Sequence, residues 1–392
     1  MYIKNVLFLR TMTWISLTIL RGRKVRAMDI NQHRNGLSKV WNKLEQGHLT
    51  IGFIGGSITE DGRAAHNWPE PVTRWFVESF PNARIAVENA AIGATGSDLA
   101  VFRADRDLID RACDLVFIEF AVNDNGTPSE RRMRAREGLI RKLLAEGRSN
   151  LVIVYTYCQD MYDAMSRSEV PASILEFEQL AEHYGISSVW MGLHAWNEVK
   201  KGRMTWDEWL PDGLHPTHRG SLSYGQSVIS FLERERITAP SLESVDKEKP
   251  LPTPLNPCHW ENTQLLPFEE VQLEGPWTIR RSTVVLPRVD RILSTSAIGA
   301  KLSFSFVGRG VALAFDFGKK SAEFSYRLDG ADAITTCRQR PDWCGDGGWF
   351  QIYWIADELK EGTHHIELEV VHGNRLDCKG TNFHLGLIGI LK

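Results

Sequence analysis

Residues 49–57 read Leu49-Thr50-Ile51-Gly52-Phe53-Ile54-Gly55-Gly56-Ser57, an apolar run that ends in two glycines and a serine. A short apolar run bounded by glycines is typical of a buried strand. The glycines permit backbone conformations closed to other residues, so the hydroxyl can stand at the carboxyl edge of a sheet. Open α/β sheets keep their sites at this edge. The pattern therefore predicts either a serine nucleophile or an ordinary strand-to-helix turn in which Ser57 caps the helix.

The alternation of short apolar runs with longer amphipathic ones continues from about residue 49 to residue 235. Near-continuous apolar runs are typical of strands covered on both faces, and strand–helix alternation indicates a parallel sheet with right-handed crossovers. Strands are predicted at residues 49–54, 84–88, 114–122, 151–157 and 187–191. Helices are predicted at residues 70–80, 98–112, 129–146, 173–184 and 218–234. The basic residues of the third helix are expected to form a solvated face: Arg131, Arg132, Arg134, Arg136, Arg141 and Lys142.

The pattern changes after a proline-rich stretch at residues 237–257, which predicts a linker or an extended strap. From Trp260 onwards, apolar and polar residues alternate in short segments separated by turn signals such as Asp329-Gly330. This alternation predicts an antiparallel β-sandwich. We therefore expect an N-terminal extension at residues 1–27, an α/β domain at 28–236, a linker at 237–259 and an all-β sandwich at 260–392.

The composition excludes several classes of protein. The net charge of −3 gives no electrostatic footprint for nucleic acid or for an anionic membrane. The stretch at residues 11–20 is too short to span a bilayer. It resembles a weak signal peptide without a cleavage site, or a segment upstream of a true start at Met28. We expect a cytoplasmic protein, with secretion as the alternative, and the sequence leaves open whether the chain forms a homo-oligomer.

The cysteines do not form a recognisable framework. There are six in 392 residues, which is far from a disulfide scaffold. Cys337, Cys344 and Cys378 could pair in an oxidising compartment, but they lack the short paired spacings of a zinc site. The sequence therefore indicates no structural metal, and whether these three cysteines form a disulfide stays open.

Three further loops carry residues suited to acyl transfer. Asp212 and His215 lie three residues apart in a turn, so the carboxylate can orient one imidazole nitrogen while the other acts as a base. Asn123 ends a predicted strand and can donate to an oxyanion. The small residues at 89–97 can present a backbone N–H to the same oxyanion. Taken singly, each motif also fits an ordinary loop or helix cap.

The four loops together resemble the SGNH/GDSL-type hydrolase family over about residues 48–235. The resemblance implies a flavodoxin-like three-layer α/β/α catalytic domain that needs no cofactor or metal. It implies Ser57 as nucleophile, His215 as general base and Asp212 as its orienting partner. It also implies an oxyanion hole formed by the Ser57 backbone N–H, the Asn123 side chain and the Gly93 N–H, with Ala94 as a one-residue alternative to Gly93.

The sequence departs from the family pattern at three positions. Gly56 stands where an aspartate usually precedes the serine, a variant that occurs among the family's carbohydrate esterases. Ala121 replaces a glycine two residues before Asn123 and should fit with less space. Ala94 replaces a second glycine. Its backbone N–H can therefore serve as a donor only if alanine adopts the same backbone conformation as that glycine.

A catalytic domain of this family followed by a β-sandwich of the jelly-roll or carbohydrate-binding type resembles deacetylases of plant-cell-wall oligosaccharides. This implies removal of O-acetyl groups from acetylated xylo- or manno-oligosaccharides. Trp343 and Trp349 flank a glycine-rich loop at residues 345–348 and are candidate sugar-stacking residues, although most sandwich aromatics fill the core. The alternatives are a lipid-active esterase or thioesterase, for which no apolar lid is visible, and a non-catalytic carbohydrate-binding protein with a vestigial site.

Overall fold

The computed structural model describes residues 28–60, 67–238, 250–281, 289–345 and 348–392. Three predicted segments lie wholly or partly outside the described residues. They are the extension at residues 1–27, the middle of the linker, and two residues of the glycine-rich loop. The strands of the first half are β1 (Asn31–Gln32), β2 (His48–Gly55), β3 (Arg84–Asn89), β4 (Leu115–Glu119), β5 (Asn150–Val154) and β6 (Ser187–Val189). The helices are α1 (Ser38–Glu45), α2 (Pro69–Ser79), α3 (Ser97–Ala104), α4 (Ser129–Leu144), α5 (Tyr162–Ser166), α6 (Ala172–Tyr184), α7 (Met191–Lys200), α8 (Trp206–Trp209) and α9 (His218–Thr238).

The first half forms one six-stranded sheet in the order β1-β6-β5-β4-β2-β3. Strands β2 to β6 are parallel, and β1 adds an antiparallel edge beside β6. Numbered along the chain, the five parallel strands follow the flavodoxin-like order 2-1-3-4-5, which confirms the predicted fold class. The order reverses between β2 and β4, and ligands of such sheets bind in the crevice at this switch point.

Helices cover both faces of this sheet. Helix α4 packs against α3 and α6, and α9 packs against α2 and α7. The strand residues between these layers are almost completely buried, including Ile51, Phe53, Phe117, Ile118 and Val152. This double burial explains why the strands read as apolar runs in the sequence.

The predicted element boundaries differ from the structure at several places. Strand β4 ends at Glu119, three residues earlier than predicted, because residues 121–126 form turns. The helix predicted at residues 98–112 ends at Ala104 and continues as a π-helical segment, Asp105–Ile109. Helices α1, α5, α7 and α8, which are 4 to 10 residues long, were not predicted.

The second half is an antiparallel sandwich of two sheets, as predicted. Its strands are β7 (Thr263–Leu265), β8 (Gln272–Glu274), β9 (Thr278–Arg281), β10 (Arg291–Thr295), β11 (Lys301–Gly308), β12 (Gly310–Phe317), β13 (Glu323–Leu328), β14 (Ile334–Thr335), β15 (Trp349–Ala356), β16 (Gly362–Val371) and β17 (Phe383–Leu391). One sheet has the order β15-β12-β17-β10-β9, with β7 beside β17, and the other has the order β14-β13-β16-β11-β8. Alternate residues of β11, such as Leu302, Phe304 and Phe306, fill the core between them.

The described residues 250–259 of the predicted linker, which we call the strap, pack on the α/β domain, and so does the sandwich. Between the strap and α4, the backbone N–H groups of Leu255 and Asn256 donate to the Glu137 carboxylate at 2.6 and 2.7 Å. A separate apolar cluster joins helix α3 to the sandwich, with Phe102 and Trp260 each packed on Trp354 of β15. The two halves therefore share a continuous apolar interface.

The expectation that the basic residues of α4 are solvated is wrong. Arg132, Arg134, Arg136 and Lys142 are buried. All six basic residues form ion pairs, mostly with carboxylates that are far away in the sequence. The pairs are Arg131–Asp357, Arg132–Glu176, Arg134–Glu358, Arg136–Asp124, Arg141–Glu261 and Lys142–Asp105. Helix α4 is thus a charged seam between the α/β domain, the strap and the sandwich.

Two further observations concern the described part of the chain. All six cysteines are free, so no disulfide links Cys337, Cys344 or Cys378. Among the described residues, no helix is both long enough and apolar enough to cross a bilayer.

Candidate active site

Ser57, His215 and Asp212 form a continuous hydrogen-bonded relay at the carboxyl edge of the sheet. Ser57 follows β2, whereas Asp212 and His215 lie between α8 and α9. The Ser57 Oγ lies 2.8 Å from His215 Nε2, and His215 Nδ1 lies 2.8 Å from Asp212 Oδ2. An imidazole held in this way can take a proton from the hydroxyl while the carboxylate stabilises the resulting imidazolium. The structure therefore brings together three residues that are up to 158 positions apart in the sequence.

The turn at residues 210–216 fixes the orientation of Asp212. Its Oδ1 accepts the backbone N–H groups of Leu214 and His215 at 2.9 and 2.7 Å, which leaves Oδ2 for the imidazole. Gly213 adopts a left-handed φ of 77°, and its carbonyl accepts the Gln159 N–H at 2.9 Å. Partial burial acts to raise the pKa of Asp212, but the hydrogen bonds from His215 and Leu214 outweigh it and lower the pKa. Asp212 is therefore held as a carboxylate.

Three hydrogen-bond donors beside the serine have no acceptor within the described part of the protein. They are the backbone N–H groups of Ser57 and Gly93 and the side-chain amide of Asn123. The Ala94 N–H is equally unpaired there, so the one-residue alternative stays open. Unpaired donors next to a nucleophile are what an oxyanion hole requires, because they are available to the charge that develops in the transition state.

Close packing ties Asn123 to the serine turn, which we define as residues 56–59. A Cβ atom added to Gly56 would lie 2.0 Å from Asn123 Oδ1 and 2.6 Å from Nδ2. Any side chain at position 56 would therefore displace the Asn123 amide. Position 56 therefore accommodates a glycine, and a larger residue would fit only if Asn123 moved.

The loop at residues 90–96 reaches the site through two anchors. At its start, the Ile92 N–H donates to the Gly55 carbonyl at 3.0 Å. At its end, Ser97 donates through its N–H and its hydroxyl to the Asp124 carboxylate, at 2.9 and 2.7 Å. Ala94 adopts a left-handed φ of 58°. Alanine thus adopts here a left-handed conformation that glycine takes more easily.

Asp124 and Asp98 have structural roles that the sequence analysis missed. Asp124 caps helix α3 by accepting hydrogen bonds from Ser97, and it also pairs with the buried Arg136 at 2.8 Å. Asp98 in the first turn of α3 accepts the Trp354 indole N–H at 3.1 Å. Burial and the neighbouring Asp124 carboxylate raise the pKa of Asp98 to about 6. The sandwich therefore contacts the helix that follows the residue 90–96 loop.

An open pocket of about 410 Å³ lies beside the relay and is lined by Ser57, Ile58, Glu60, Asn67, His215, Pro216 and Ser221. The predicted sugar-stacking residues Trp343 and Trp349 do not line it. They form an edge-to-face pair with centroids 5.4 Å apart on the sandwich, where Trp349 pairs with Phe317 of β12. In the described residues, no cluster of three histidine, cysteine, aspartate or glutamate side chains could hold a metal ion.

The comparisons with known proteins agree with this geometry. The sequence profile of the GDSL-like lipase/acylhydrolase family matches residues 53–221, which contain all the residues of the relay and the unpaired donors. No curated protein sequence is significantly similar to the chain.

Solved structures share the complete two-domain fold. The chain is similar to the crystal structure of a two-domain esterase active on acetylated mannans, co-crystallised with mannopentaose. That match has a TM-score of 0.77, 24% sequence identity and coverage of 91% of this chain and 95% of the esterase. A second crystal structure of a two-domain esterase active on acetylated mannans gives a TM-score of 0.75, 24% identity and coverage of 91% and 96%. At this identity the likeness establishes the fold, an α/β domain followed by a β-sandwich. Residues 53–221 match the GDSL-like lipase/acylhydrolase family, and this match supports a carboxylic ester hydrolase.

Proposed function

We propose that the protein is a carbohydrate O-acetylesterase that uses Ser57, His215 and Asp212 as its catalytic residues. The observation that carries the mechanism is the relay itself, with 2.8 Å from Ser57 Oγ to His215 Nε2 and 2.8 Å from His215 Nδ1 to Asp212 Oδ2. A serine hydroxyl is a weak nucleophile on its own and needs a base at hydrogen-bond distance. The relay supplies that base already oriented.

The acylation step follows from this geometry. Ser57 Oγ attacks the acetyl carbonyl carbon while His215 Nε2 accepts the hydroxyl proton. The carbonyl π bond opens to an oxyanion, which accepts hydrogen bonds from the N–H groups of Ser57 and Gly93 and from the Asn123 amide. Each such donor contributes roughly 10²- to 10³-fold to the rate. The C–O bond to the sugar then breaks, and His215 returns the proton to the departing sugar oxygen.

The deacylation step uses the same groups in reverse. His215 takes a proton from a water molecule, whose oxygen attacks the acetyl-Ser57 carbonyl. The second tetrahedral intermediate collapses to acetate, and His215 returns the proton to Ser57 Oγ. The lowered pKa of Asp212 supports this cycle, because a carboxylate that stays ionised stabilises the imidazolium formed in each step.

The choice of an acetylated sugar as substrate is supported by two observations. The pocket beside Ser57 combines apolar groups, Ile58 and Pro216, with polar groups, Glu60 and Asn67, which suits a small acyl group on a polar alcohol. The chain also shares its complete two-domain fold with an esterase active on acetylated mannans. Both observations favour acetyl-carbohydrates over long-chain lipids.

The test separates the mechanism from the substrate. Acetylated manno- and xylo-oligosaccharides are incubated with the wild type and with Ser57→Ala, and acetyl loss is followed by mass spectrometry. We expect acetate release by the wild type only. Full activity of Ser57→Ala on 4-nitrophenyl acetate would contradict the mechanism, whereas faster hydrolysis of 4-nitrophenyl octanoate than of the acetate would contradict the substrate class.

A further inference from the structure

A buried glutamate lies directly beneath the serine turn. Glu119 is the last residue of β4 and pairs with Gly55 of β2 across the switch point of the sheet. Its side chain is completely buried. In the sequence it is the one charged residue in the apolar run Leu115-Val116-Phe117-Ile118-Glu119-Phe120. Carboxylates are seldom buried in this way unless their oxygens are engaged, so the contacts of Glu119 require an explanation.

The two carboxylate oxygens of Glu119 have different partners. Thr59 Oγ1 donates to Oε2 at 3.2 Å, and the carboxylate also accepts the Gly56 backbone N–H. These two donors belong to the first and last residues of the serine turn. Thr156 Oγ1, which belongs to the segment after β5, donates to Oε1 at 2.7 Å. Glu119 therefore links both ends of the serine turn to the centre of the sheet.

Neighbouring contacts make this arrangement rigid. Thr59 Oγ1 also accepts the Trp68 indole N–H at 2.9 Å, so its hydroxyl hydrogen is directed at Glu119. A Cβ atom added to Gly55 would lie 2.8 Å from the Glu119 carbonyl oxygen and 3.0 Å from Thr59 Oγ1. Gly55, directly before the turn, thus packs so closely against Glu119 and Thr59 that it leaves no room for a side chain.

Among the described residues, no positively charged side chain balances the negative charge of the buried Glu119 carboxylate. Within the described residues, Glu119 forms no ion pair with a lysine, arginine or histidine. The titratable groups that face it are the Asp124 carboxylate, the Cys158 thiol after β5 and the Tyr224 phenol of α9. Burial raises the pKa of Glu119 to about 7, against the hydrogen bonds from Thr156, Thr59 and Gly56. The protein keeps this group although its burial is costly, which points to a role beyond packing.

We propose that Glu119 is a positioning residue that holds the serine turn in its reactive geometry by accepting the Gly56 N–H and the Thr59 hydroxyl. With the Gly56 N–H directed inwards, the next N–H along the chain, that of Ser57, stays unpaired and available to an oxyanion. Glu119 acts through the turn and does not itself touch the substrate. The proposal rests on the proposed role of Ser57 as nucleophile.

Two buried threonines that donate to Glu119 provide a pair of variants, of which Thr59→Val also removes the acceptor of the Trp68 indole N–H. Thr59→Val and Thr156→Val each remove one hydroxyl from the same carboxylate, and both residues are completely buried. Only Thr59 belongs to the serine turn. A misplacement of about 1 Å in a catalytic group costs roughly 10²-fold in rate. We expect Thr59→Val to lower kcat by about 10- to 100-fold with KM almost unchanged, and Thr156→Val to lower kcat by less than about threefold.

Substitutions of Glu119 itself test the same idea. Glu119→Gln keeps an acceptor oxygen and the shape of the side chain, so kcat should stay within about threefold of the wild type. Glu119→Leu removes both acceptors and should lower kcat by about 100-fold without a matching change in KM. Rates are measured on 4-nitrophenyl acetate and normalised to the active-site serine titrated with an organophosphonate.

The outcomes are distinguishable from a failure of the proposed function. Full activity of Ser57→Ala would refute the nucleophile assignment, on which the role of Glu119 depends. If Ser57→Ala is inactive but Thr59→Val and Thr156→Val lose equal kcat, or Glu119→Leu keeps its kcat, the positioning role is refuted. If Glu119→Leu does not fold, the comparison of the two threonine variants decides.

Discussion

Replacing Gly56 by alanine tests the contact between the serine turn and the Asn123 amide. The new Cβ would lie 2.0 Å from Asn123 Oδ1, and ordinary contact begins at 3.4 Å, so the amide must retreat by about 1.4 Å. An oxyanion donor has to lie 2.7–3.1 Å from the developing charge, about 0.4 Å of tolerance. The Asn123 donor is therefore lost. We expect kcat to fall by about 10²- to 10³-fold, or roughly 3–4 kcal/mol of transition-state stabilisation.

A double-mutant cycle shows whether this loss passes through Asn123. Asn123→Ala alone should lower kcat by a similar factor, and adding Gly56→Ala to it should cost little more, because the clash has been removed. Gly126→Ala is the control, since a Cβ there meets nothing within 4 Å. The assay is kcat on 4-nitrophenyl acetate with thermal unfolding in parallel. Wild-type kcat in Gly56→Ala, or losses that simply add in the double variant, would refute the reasoning.

Three further predictions concern stability and pH. In the folded protein the pKa of Glu119 is raised from 4.5 to about 7. The protonated carboxyl group therefore stabilises the folded state fully below pH 4.5, and this stabilisation is lost as the pH rises through about 7. The unfolding free energy of Glu119→Gln minus that of the wild type should therefore increase by about 3 kcal/mol from about pH 4 to about pH 8. A difference that stays constant over this pH range would contradict the prediction. Gly213→Ala and Gly202→Ala both place alanine at a left-handed φ, 77° and 69°, and should each lose about 1–2 kcal/mol in chemical denaturation. Only Gly213→Ala should also lower kcat, and an equal kcat loss in both would count against the role of the 210–216 turn. Trp354→Phe removes the indole donor to Asp98 and should raise its pKa further above 6. The stability deficit of this variant should therefore be larger at about pH 8 than at about pH 5 in urea unfolding, and a deficit independent of pH would exclude the coupling.

The sequence was sufficient to predict the five parallel strands of the sheet and the residues around the serine, but not the edge strand β1. Apolar runs such as residues 49–54 indicate buried parallel strands, and the carboxyl ends of such strands meet at one edge. Ser57, Asn123 and the loop containing Gly93 each follow a strand, so their proximity follows from the topology. His215 and Asp212 lie beyond the last parallel strand, and their place came from the resemblance to a family. Their roles in catalysis stay predictions until the variants are assayed.

The charges of helix α4 could not be interpreted from the sequence, because their partners are distant. A run of arginines at residues 131–141 looks like a solvated face when only the helix is considered. Arg131 pairs with Asp357 of the sandwich, and Arg141 pairs with Glu261 beyond the strap. Burial of such charges requires paired carboxylates. Only the three-dimensional structure reveals that these carboxylates come from another domain.

Strand β15 does carry a sequence signal for the domain interface, although it is subtle. Its residues Trp349-Phe350-Gln351-Ile352-Tyr353-Trp354-Ile355-Ala356 are apolar at nearly every position, rather than at every second one. A strand with two apolar faces is expected to be covered on both. Phe350, Ile352 and Trp354 pack with Ile92, beside Gly93, in the interface cluster, whereas Tyr353 and Ile355 pack on the sandwich core. This face of the sandwich therefore packs on the α/β domain beside the residue 90–96 loop, and the apolar residues on both faces of β15 reflect its two packing partners.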